Sequence, residues 1–262
     1  MGIVNVTADS FSDGGRFLQS RDAIAHGLQL LDEGADWLDI GGESTRPGSL
    51  PVSAEAEKAR VVPVIAGILR ERPQAVISID TQKADVAEAA VAVGATIVND
   101  VSALHDPDMA PFCARARVGL VLMHMRGVPR SMQDNTDYDD LIGEIVGFLR
   151  ERTAQAEAAG IERHKLFVDP GLGFGKSLAD NPVLIASASC FRELGLPVVI
   201  GASRKRFIGD LTKTPTPDSR VFGSIGAALA AAAHGAAVLR VHDVQATRQA
   251  LQVFWPCWGG TP

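Results

Sequence analysis

Eight short apolar runs punctuate the chain, at residues 3–6, 37–40, 76–79, 96–98, 120–123, 166–168, 198–200 and 238–241. They are rich in Val, Ile and Leu and mostly lack polar alternation, the pattern of strands buried on both faces. Helical periodicity fills the intervals. Ile24, Leu28 and Leu31 share one helix face, as do Ile142, Ile145 and Leu149. Gly34, Gly94, Gly160, Gly195 and Gly235 stand two or more residues ahead of the next strand, where a helix ends in a left-handed turn. No long linker, repeat block or shift in composition divides the 262 residues. The pattern predicts one domain, residues 1–262, folded as an α/β, single (β/α)8 TIM barrel. A doubly wound open sheet is the alternative, and it usually has fewer strands.

Composition narrows the class. Apolar residues make up 46% and charged residues 21%, as in a globular domain and unlike a disordered one. The net charge of −6 argues against nonspecific nucleic-acid binding but leaves room for a local basic pocket. Cys113, Cys190 and Cys257 are odd in number and far apart, without a disulfide framework or zinc spacing. The Ala-rich stretch 227–233 is too short to span a bilayer, and the first residues carry no signal-peptide pattern. A soluble cytoplasmic protein is expected, with neither membrane nor nucleic acid as partner.

In such a barrel the site lies at the carboxyl ends of the strands. Polar residues collect there. Asn5 and Asp39 lie in the first two runs, and Asp80 follows the third. Asn99 and Asp100 follow the fourth run, His124 the fifth and Asp169 the sixth. Ser203, Arg204 and Lys205 follow the seventh, and Arg240 and His242 bracket the end of the eighth. Helix capping or pairing within the barrel would explain any one of these. The opposite strand ends carry no comparable set. Arg204, Lys205, Arg240, His242 and Arg46 suit a polyanion such as pyrophosphate. Asp80, Asn99 and Asp169 suit the edge of a nitrogen heterocycle, because a carboxylate receives two adjacent N–H groups and an amide both gives and accepts. Residue types alone therefore point to an anionic, nitrogen-rich substrate.

Two Gly/Pro-rich segments, 7–17 after the first run and 41–51 after the second, exceed ordinary βα loops and read as lids, with Phe11 and Phe17 available to cover something. The run DPGLGFGKS at 169–177 ends like a phosphate-binding P-loop, but Pro170 stands where that motif needs Gly. The histidines show no metal pair at helical spacing.

Eight motifs in order carry a resemblance. They are NVTADSFSDGG at 5–15, DIGGESTRPG at 39–48, SIDTQK at 78–83, NDVSA at 99–103, LMHMRG at 122–127, DPGLGFGKS at 169–177, SRKRFIG at 203–209 and RVHDV at 240–244. Along almost its entire length the chain resembles the dihydropteroate synthase family. That resemblance implies a transferase of folate biosynthesis. It condenses 6-hydroxymethyl-7,8-dihydropterin diphosphate with 4-aminobenzoate, giving 7,8-dihydropteroate and pyrophosphate. It implies Asp80, Asn99, Asp169 and Lys205 on the pterin, with Met123 and Phe174 near its ring. Asn5, Arg240 and His242 would bind the diphosphate and its Mg²⁺, with Asn5 the metal contact. Ser203 and Arg204 would receive the aminobenzoate, its carboxylate near the start of the next helix. Thr45, Arg46, Pro47, Phe11 and Asp13 would close over both. Asp80, Asp169 and Lys205 form the implied catalytic set. A homodimer through the last helices and inhibition by sulfonamides, at Phe11, Pro47, Ser203 and Arg204, are also implied.

Ala8 stands where the family usually has Pro, which predicts a looser first loop. Pro256 is expected to stop the last helix early. Other readings stand beside this one. A pterin-binding methyltransferase shares the barrel but has no diphosphate to hold, against Arg46, Lys205, Arg240 and His242. An aldolase-type barrel would use Lys205 as a Schiff-base amine, which needs a desolvated lysine. A non-catalytic pterin binder is the third.

Overall fold

The computed structural model describes residues 1–6, 15–45, 48–128 and 130–259, with 15–19 as backbone alone. Strands and helices alternate throughout: β1 (Gly2–Asn5), α1 (Gly15–Asp32), β2 (Trp37–Gly41), α2 (Ala54–Glu71), β3 (Val76–Asp80), α3 (Ala84–Ala92), β4 (Ile97–Asp100) and α4 (Met109–Ala116). Then come β5 (Gly119–Met123), α5 (Leu141–Ala158), β6 (Leu166–Asp169), α6 (Asp180–Ala186), the short α7 (Ala188–Phe191), β7 (Val199–Ile200), α8 (Arg206–Thr212), α9 (Val221–Ala233), β8 (Val238–Leu239) and α10 (Val244–Trp258). Each predicted run overlaps one strand. The seventh and eighth ladders are only two residues long, shorter than their apolar runs.

All pairings are parallel. β1 to β6 form a continuous ladder in sequence order, and β7 pairs with β8. Single bridges close the circle, Val168 to Val198 between β6 and β7 and Gly2 to Val241 between β8 and β1. The amide of Ile3 donates to the Val241 carbonyl at 3.0 Å and the amide of Val241 to Met1 at 2.9 Å. The sheet is thus a closed (β/α)8 barrel rather than an open doubly wound sheet.

Helix ends follow the local chemistry. The Ser53 side chain accepts from the Ala56 amide ahead of α2, and Asp140 from the Gly143 amide ahead of α5, satisfying otherwise orphaned donors. The five glycines expected at helix ends all adopt positive φ, from 69° at Gly195 to 113° at Gly94. Pro256 does not stop α10, which runs on to Trp258 and ends at Gly259 with φ 75°. Pro256 lies in the exposed final turns, where loss of one N–H bond costs little. There Phe254 stacks on Trp258, with ring centroids 5.4 Å apart.

The core has two parts. Aliphatic side chains of the strands' outer faces pack against the helices. Inside the barrel a separate floor joins Met1, Trp37, Val121 and Val199, with Ile97, Phe167 and Val238 against them. Side chains alternate along a strand, so the residue two positions on points the same way. Two positions beyond Trp37, Ile97, Val121, Phe167 and Val238 stand Asp39, Asn99, Met123, Asp169 and Arg240. The apolar floor therefore places a mainly polar layer, with Met123 its apolar member, directly above it at the carboxyl ends of the strands.

Candidate active site

The centre of the polar layer is the Arg240 guanidinium. Its Nε donates to Asp39 Oδ2 at 2.6 Å and its Nη2 to Asp80 Oδ2 at 2.8 Å. Asp39 Oδ2 also accepts from Asn99 Nδ2 at 3.0 Å. Burial works against the charge on Arg240, but Asp39 and Asp80 outweigh it and raise the pKa. Burial pushes the Asp80 carboxyl up to about 7; Arg240 opposes that shift, and the carboxylates of Asp39, Glu57 and Asp100 add to it. Asp39 Oδ1 and Asp80 Oδ1 are buried without a hydrogen-bond partner among the described residues. Unmet buried acceptors cost free energy, about 1–3 kcal/mol each, until a donor arrives. A ligand edge bearing N–H groups supplies such donors.

Across the mouth, burial raises the Asp169 pKa while the Gly171 amide, donating at 2.7 Å, holds one carboxylate oxygen. Lys205 Nζ lies 4.2 Å above the Phe174 ring and donates to the Leu172 carbonyl. Burial depresses its pKa to about 8, against the pull of Asp169. The desolvated lysine required by a Schiff-base reading is thus present, but it is tied to a carbonyl and an aromatic face. Met123 is buried and in register with Asp169. Asn5 ends β1, in register with Gly41.

The structure joins Ser203 and His242: the His242 amide donates to Ser203 Oγ at 3.2 Å, and the His242 Nδ1 lies 3.0 Å from the same oxygen. Arg204 turns the other way. Its Nη2 and Nε hold Asp243 at 2.7 and 3.1 Å, and it also pairs with Asp218. Its backbone sits at φ 60° with the amide donating to Ser224 Oγ at 2.9 Å. Arg204 and Arg240 are therefore both engaged with carboxylates, which an incoming anion would have to displace. Thr45 lies in the second loop. Phe11, Asp13, Arg46 and Pro47, together with Ala8, lie outside the described residues.

Three contributors escaped the sequence reading. Asp39 stood among the strand-end polar residues but was given no role, although its place two residues after Trp37 puts it in the inner layer. Lys176, dismissed with the P-loop, is buried with Nζ 2.7 Å from His124 Nδ1 and 3.1 Å from the His124 carbonyl. Burial, then Lys176 and Arg126, push the His124 pKa down to about 3, so its ring is neutral. Gly171 must be glycine here: it has φ 70°, and a Cβ would lie 1.9 Å from the His124 carbonyl oxygen. The third is a lysine-centred cluster at Lys83, whose members sit on three separate segments.

A profile of the pterin binding enzymes matches residues 1–242. The dihydropteroate synthase of Neisseria meningitidis serogroup B is 48% identical over 260 residues, covering 97% of this chain and 90% of that protein. The structure of Xanthomonas albilineans dihydropteroate synthase with 4-aminobenzoic acid superposes with a TM-score of 0.93 at 52% identity, covering 100% of this chain and 93% of the other. The Yersinia pestis dihydropteroate synthase in complex with a sulfonamide drug superposes with a TM-score of 0.93 at 42% identity, covering 99% and 94%. The order of the eight strand-end motifs, the closed barrel and these likenesses agree: the chain belongs to the pterin binding enzymes, in the dihydropteroate synthase family.

Proposed function

We propose that the chain condenses 6-hydroxymethyl-7,8-dihydropterin diphosphate with 4-aminobenzoate, releasing pyrophosphate and forming 7,8-dihydropteroate. The observation that carries this reading is the buried layer in which Asp39, Asp80 and Asn99 gather around Arg240, with two carboxylate oxygens that have no partner among the described residues. Asp80, Asn99 and Asp169 receive the N–H edge of the pterin, and Met123 and Phe174 flank its ring. Lys205, over Phe174, supplies a donor at the other edge. Arg240 and His242 receive the diphosphate. Ser203 and Arg204 receive the aminobenzoate, and Thr45, Arg46, Pro47, Phe11 and Asp13 close the site.

The chemistry follows from charge. As the diphosphate leaves, positive charge grows on the pterin methylene and spreads into the ring. Fixed carboxylates at Asp80 and Asp169 stabilise it without reorganising. The aniline nitrogen then needs orientation more than a strong base.

The donor set also suits Mg²⁺. This hard cation needs few protein ligands, keeps waters and takes phosphate oxygens. The described residues include no cluster of three His, Cys, Asp or Glu that would hold a metal without substrate. Asn5, with an amide oxygen at the end of β1, would hold it. When bound, the ion neutralises charge on the departing pyrophosphate.

Residues 1–262 act as one barrel domain. No described helix is long and apolar enough to cross a membrane, and we place the protein in the cytoplasm. A homodimer through the last helices is supported by an apolar cavity of about 260 Å³ between α6, α8 and α9, beside Phe222 and Leu211, which are 88% and 66% exposed. Ala228, Ala231 and Ala232 pack onto the barrel, whereas Ala227 and Ala230 line that cavity. Sulfonamides would compete with 4-aminobenzoate. The deciding assay is pyrophosphate release on mixing the pterin diphosphate, 4-aminobenzoate and Mg²⁺, omitting each in turn. Release that persists without 4-aminobenzoate would point to a hydrolase.

A further inference from the structure

We propose that Arg220 and Ser224, at the start of α9, are positioning residues that hold Arg204 in its left-handed conformation and act on 4-aminobenzoate through Ser203 and Arg204. This role rests on the reading above, which gives neither Arg220 nor Ser224 a part.

Arg204 has an uncommon backbone. Its φ of 60° is costly for a residue with a Cβ. Arg117 and Lys213 also have positive φ, but they end α4 and α8, where a left-handed residue closes the helix. Arg204 ends no helix and lies in the turn between β7 and α8. Such a conformation persists only where its surroundings hold it. Here one segment does so. The Arg204 amide donates to Ser224 Oγ at 2.9 Å, and Arg220 Nη1 donates to the Arg204 carbonyl at 2.9 Å. Ser224 Oγ in turn donates to the Arg220 carbonyl at 2.7 Å. Asp218, two residues before Arg220, joins Asp243 on the Arg204 guanidinium. Residues 218–224 thus touch the amide, the carbonyl and the side chain of a single residue.

Arg220 is itself built into the fold. Its guanidinium donates to three backbone carbonyls, those of Arg204, Pro215 and, from Nε at 2.9 Å, Thr214. Gly209 faces it from α8. A Cβ there would lie 2.5 Å from Arg220 Nε and 2.6 Å from the Thr214 carbonyl oxygen. Glycine inside a helix weakens it relative to alanine, so α8 is less stable than it could be and leaves room for the guanidinium.

The held residue separates two binding groups. Ser203 Oγ meets His242, and Lys205 Nζ reaches the Leu172 carbonyl and the Phe174 ring. Lys205 is therefore anchored a second time, in the loop after β6. The backbone of Arg204 is anchored by α9. Loosening that grip shifts the aminobenzoate side of the turn more than the pterin side.

Steady-state kinetics and calorimetry on the full chain test this with Ser224→Ala, which deletes the acceptor, and Arg220→Lys, which keeps the charge but not the planar fork. Each should raise KM for 4-aminobenzoate about tenfold, with kcat within about threefold and pterin-diphosphate Kd within about twofold. Gly209→Ala should move the same KM in the same direction, although alanine favours the helix. A purely structural role would lower the folded fraction and with it the apparent kcat, leaving KM in place. Folded Ser224→Ala and Arg220→Lys with unchanged KM, or with equal losses in KM, kcat and pterin binding, would overturn the proposal. If Arg220→Lys does not fold, Ser224→Ala decides by the same split. Wild-type protein that releases no pyrophosphate would overturn the underlying reading as well.

Discussion

Strands β2–β6 and strands β7–β8 face each other across the barrel mouth and bring opposite charge. The first arc supplies Asp39, Asp80, Asn99 and Asp169 from strands of four or five residues in a continuous ladder. The second supplies Arg204, Lys205, Arg240 and His242 around two-residue strands, joined to the rest by single bridges. The two arcs are positioned differently. Backbone register fixes the carboxylates: Asp39 and Asp169 lie two residues above the apolar floor, and Asp80 is set by the register of β3 against β2 and β4. Ion pairs fix the cations: Arg240 is held by Asp39 and Asp80, and Arg204 by Asp243 and Asp218. A substrate that inserts between the arcs trades those pairs for its own groups.

The most damaging break is Arg240→Ala. It leaves Asp39 and Asp80 together in the interior without their cation. Removing one partner of a buried pair costs about 3–5 kcal/mol. Urea unfolding should show a loss of that order, smaller at low pH. The sign follows from the raised Asp80 pKa. A carboxyl whose folded pKa lies above its unfolded value contributes stability below the unfolded pKa. That contribution is lost as pH rises through the folded pKa, about 7 even with Arg240 present. The same variant should bind pyrophosphate and pterin diphosphate weakly while still binding the free pterin alcohol. Equal losses for both ligands would make Arg240 purely structural.

Asp80→Asn attacks the other arc. It removes the charge that faces the developing cation but leaves Arg240 paired with Asp39. A drop in kcat of about a hundredfold, with pyrophosphate affinity nearly unchanged, is expected. Turnover near that of the wild type would remove Asp80 from the chemistry.

Lys205 sharpens the contrast by pH. Burial lowers its pKa to about 8, so in the free enzyme the charge fades above that value. Burying the ammonium costs the fold below about pH 8, and that cost is relieved where only the unfolded chain stays protonated, so stability should rise from about pH 8 towards the ordinary lysine value. Affinity for pterin diphosphate should fall over the same range. Lys205→Met should flatten both profiles. Borohydride should trap no carbonyl adduct on Lys205, and a trapped adduct would favour the aldolase reading.

The legibility of the two arcs in the sequence differed for the same physical reason. Apolar runs and strand-end polar residues marked all eight strands, because a strand buried on both faces leaves a local signature. Asp80, Asn99 and Asp169 followed from those runs with a role, and Asp39 was marked by them without one. The same runs marked the cations but not their pairings, because the partner of Arg240 is Asp39, 201 residues away. Nor did composition show that Arg204 would turn towards Asp243. Lys176 was hidden differently: its motif invited a phosphate reading, whereas tertiary packing aims it at His124. At Pro256 a local rule for helix ends yielded to an exposed final turn. The lid residues Phe11, Asp13, Arg46 and Pro47 rest on the sequence, Phe11 and Arg46 by residue type and all four by motif resemblance.

The smallest expected effect tests whether backbone fixation really distinguishes the carboxylate arc. The loop after β6 passes through positive φ at Gly171, Gly173 and Gly175, and separate donors hold its carbonyls. Lys205 holds Leu172, Gln133 Nε2 holds Gly173 at 2.9 Å, and the Tyr138 hydroxyl holds Gly175 at 2.8 Å. Arg126 lies 3.7 Å over the Tyr138 ring, so the ring stays packed when only its hydroxyl is removed. Tyr138→Phe deletes one neutral hydrogen bond, about 0.5–1.5 kcal/mol. Asp169 keeps its bond from the Gly171 amide and its register with Met123. Stability should fall by that amount, KM for pterin diphosphate should rise about two- to threefold, and KM for 4-aminobenzoate should hold. Raising the salt concentration should leave the difference unchanged, since no charge is involved. A loss as large as that of Arg240→Ala, or one that salt abolishes, would show that this arc too depends on its tethers rather than on the sheet.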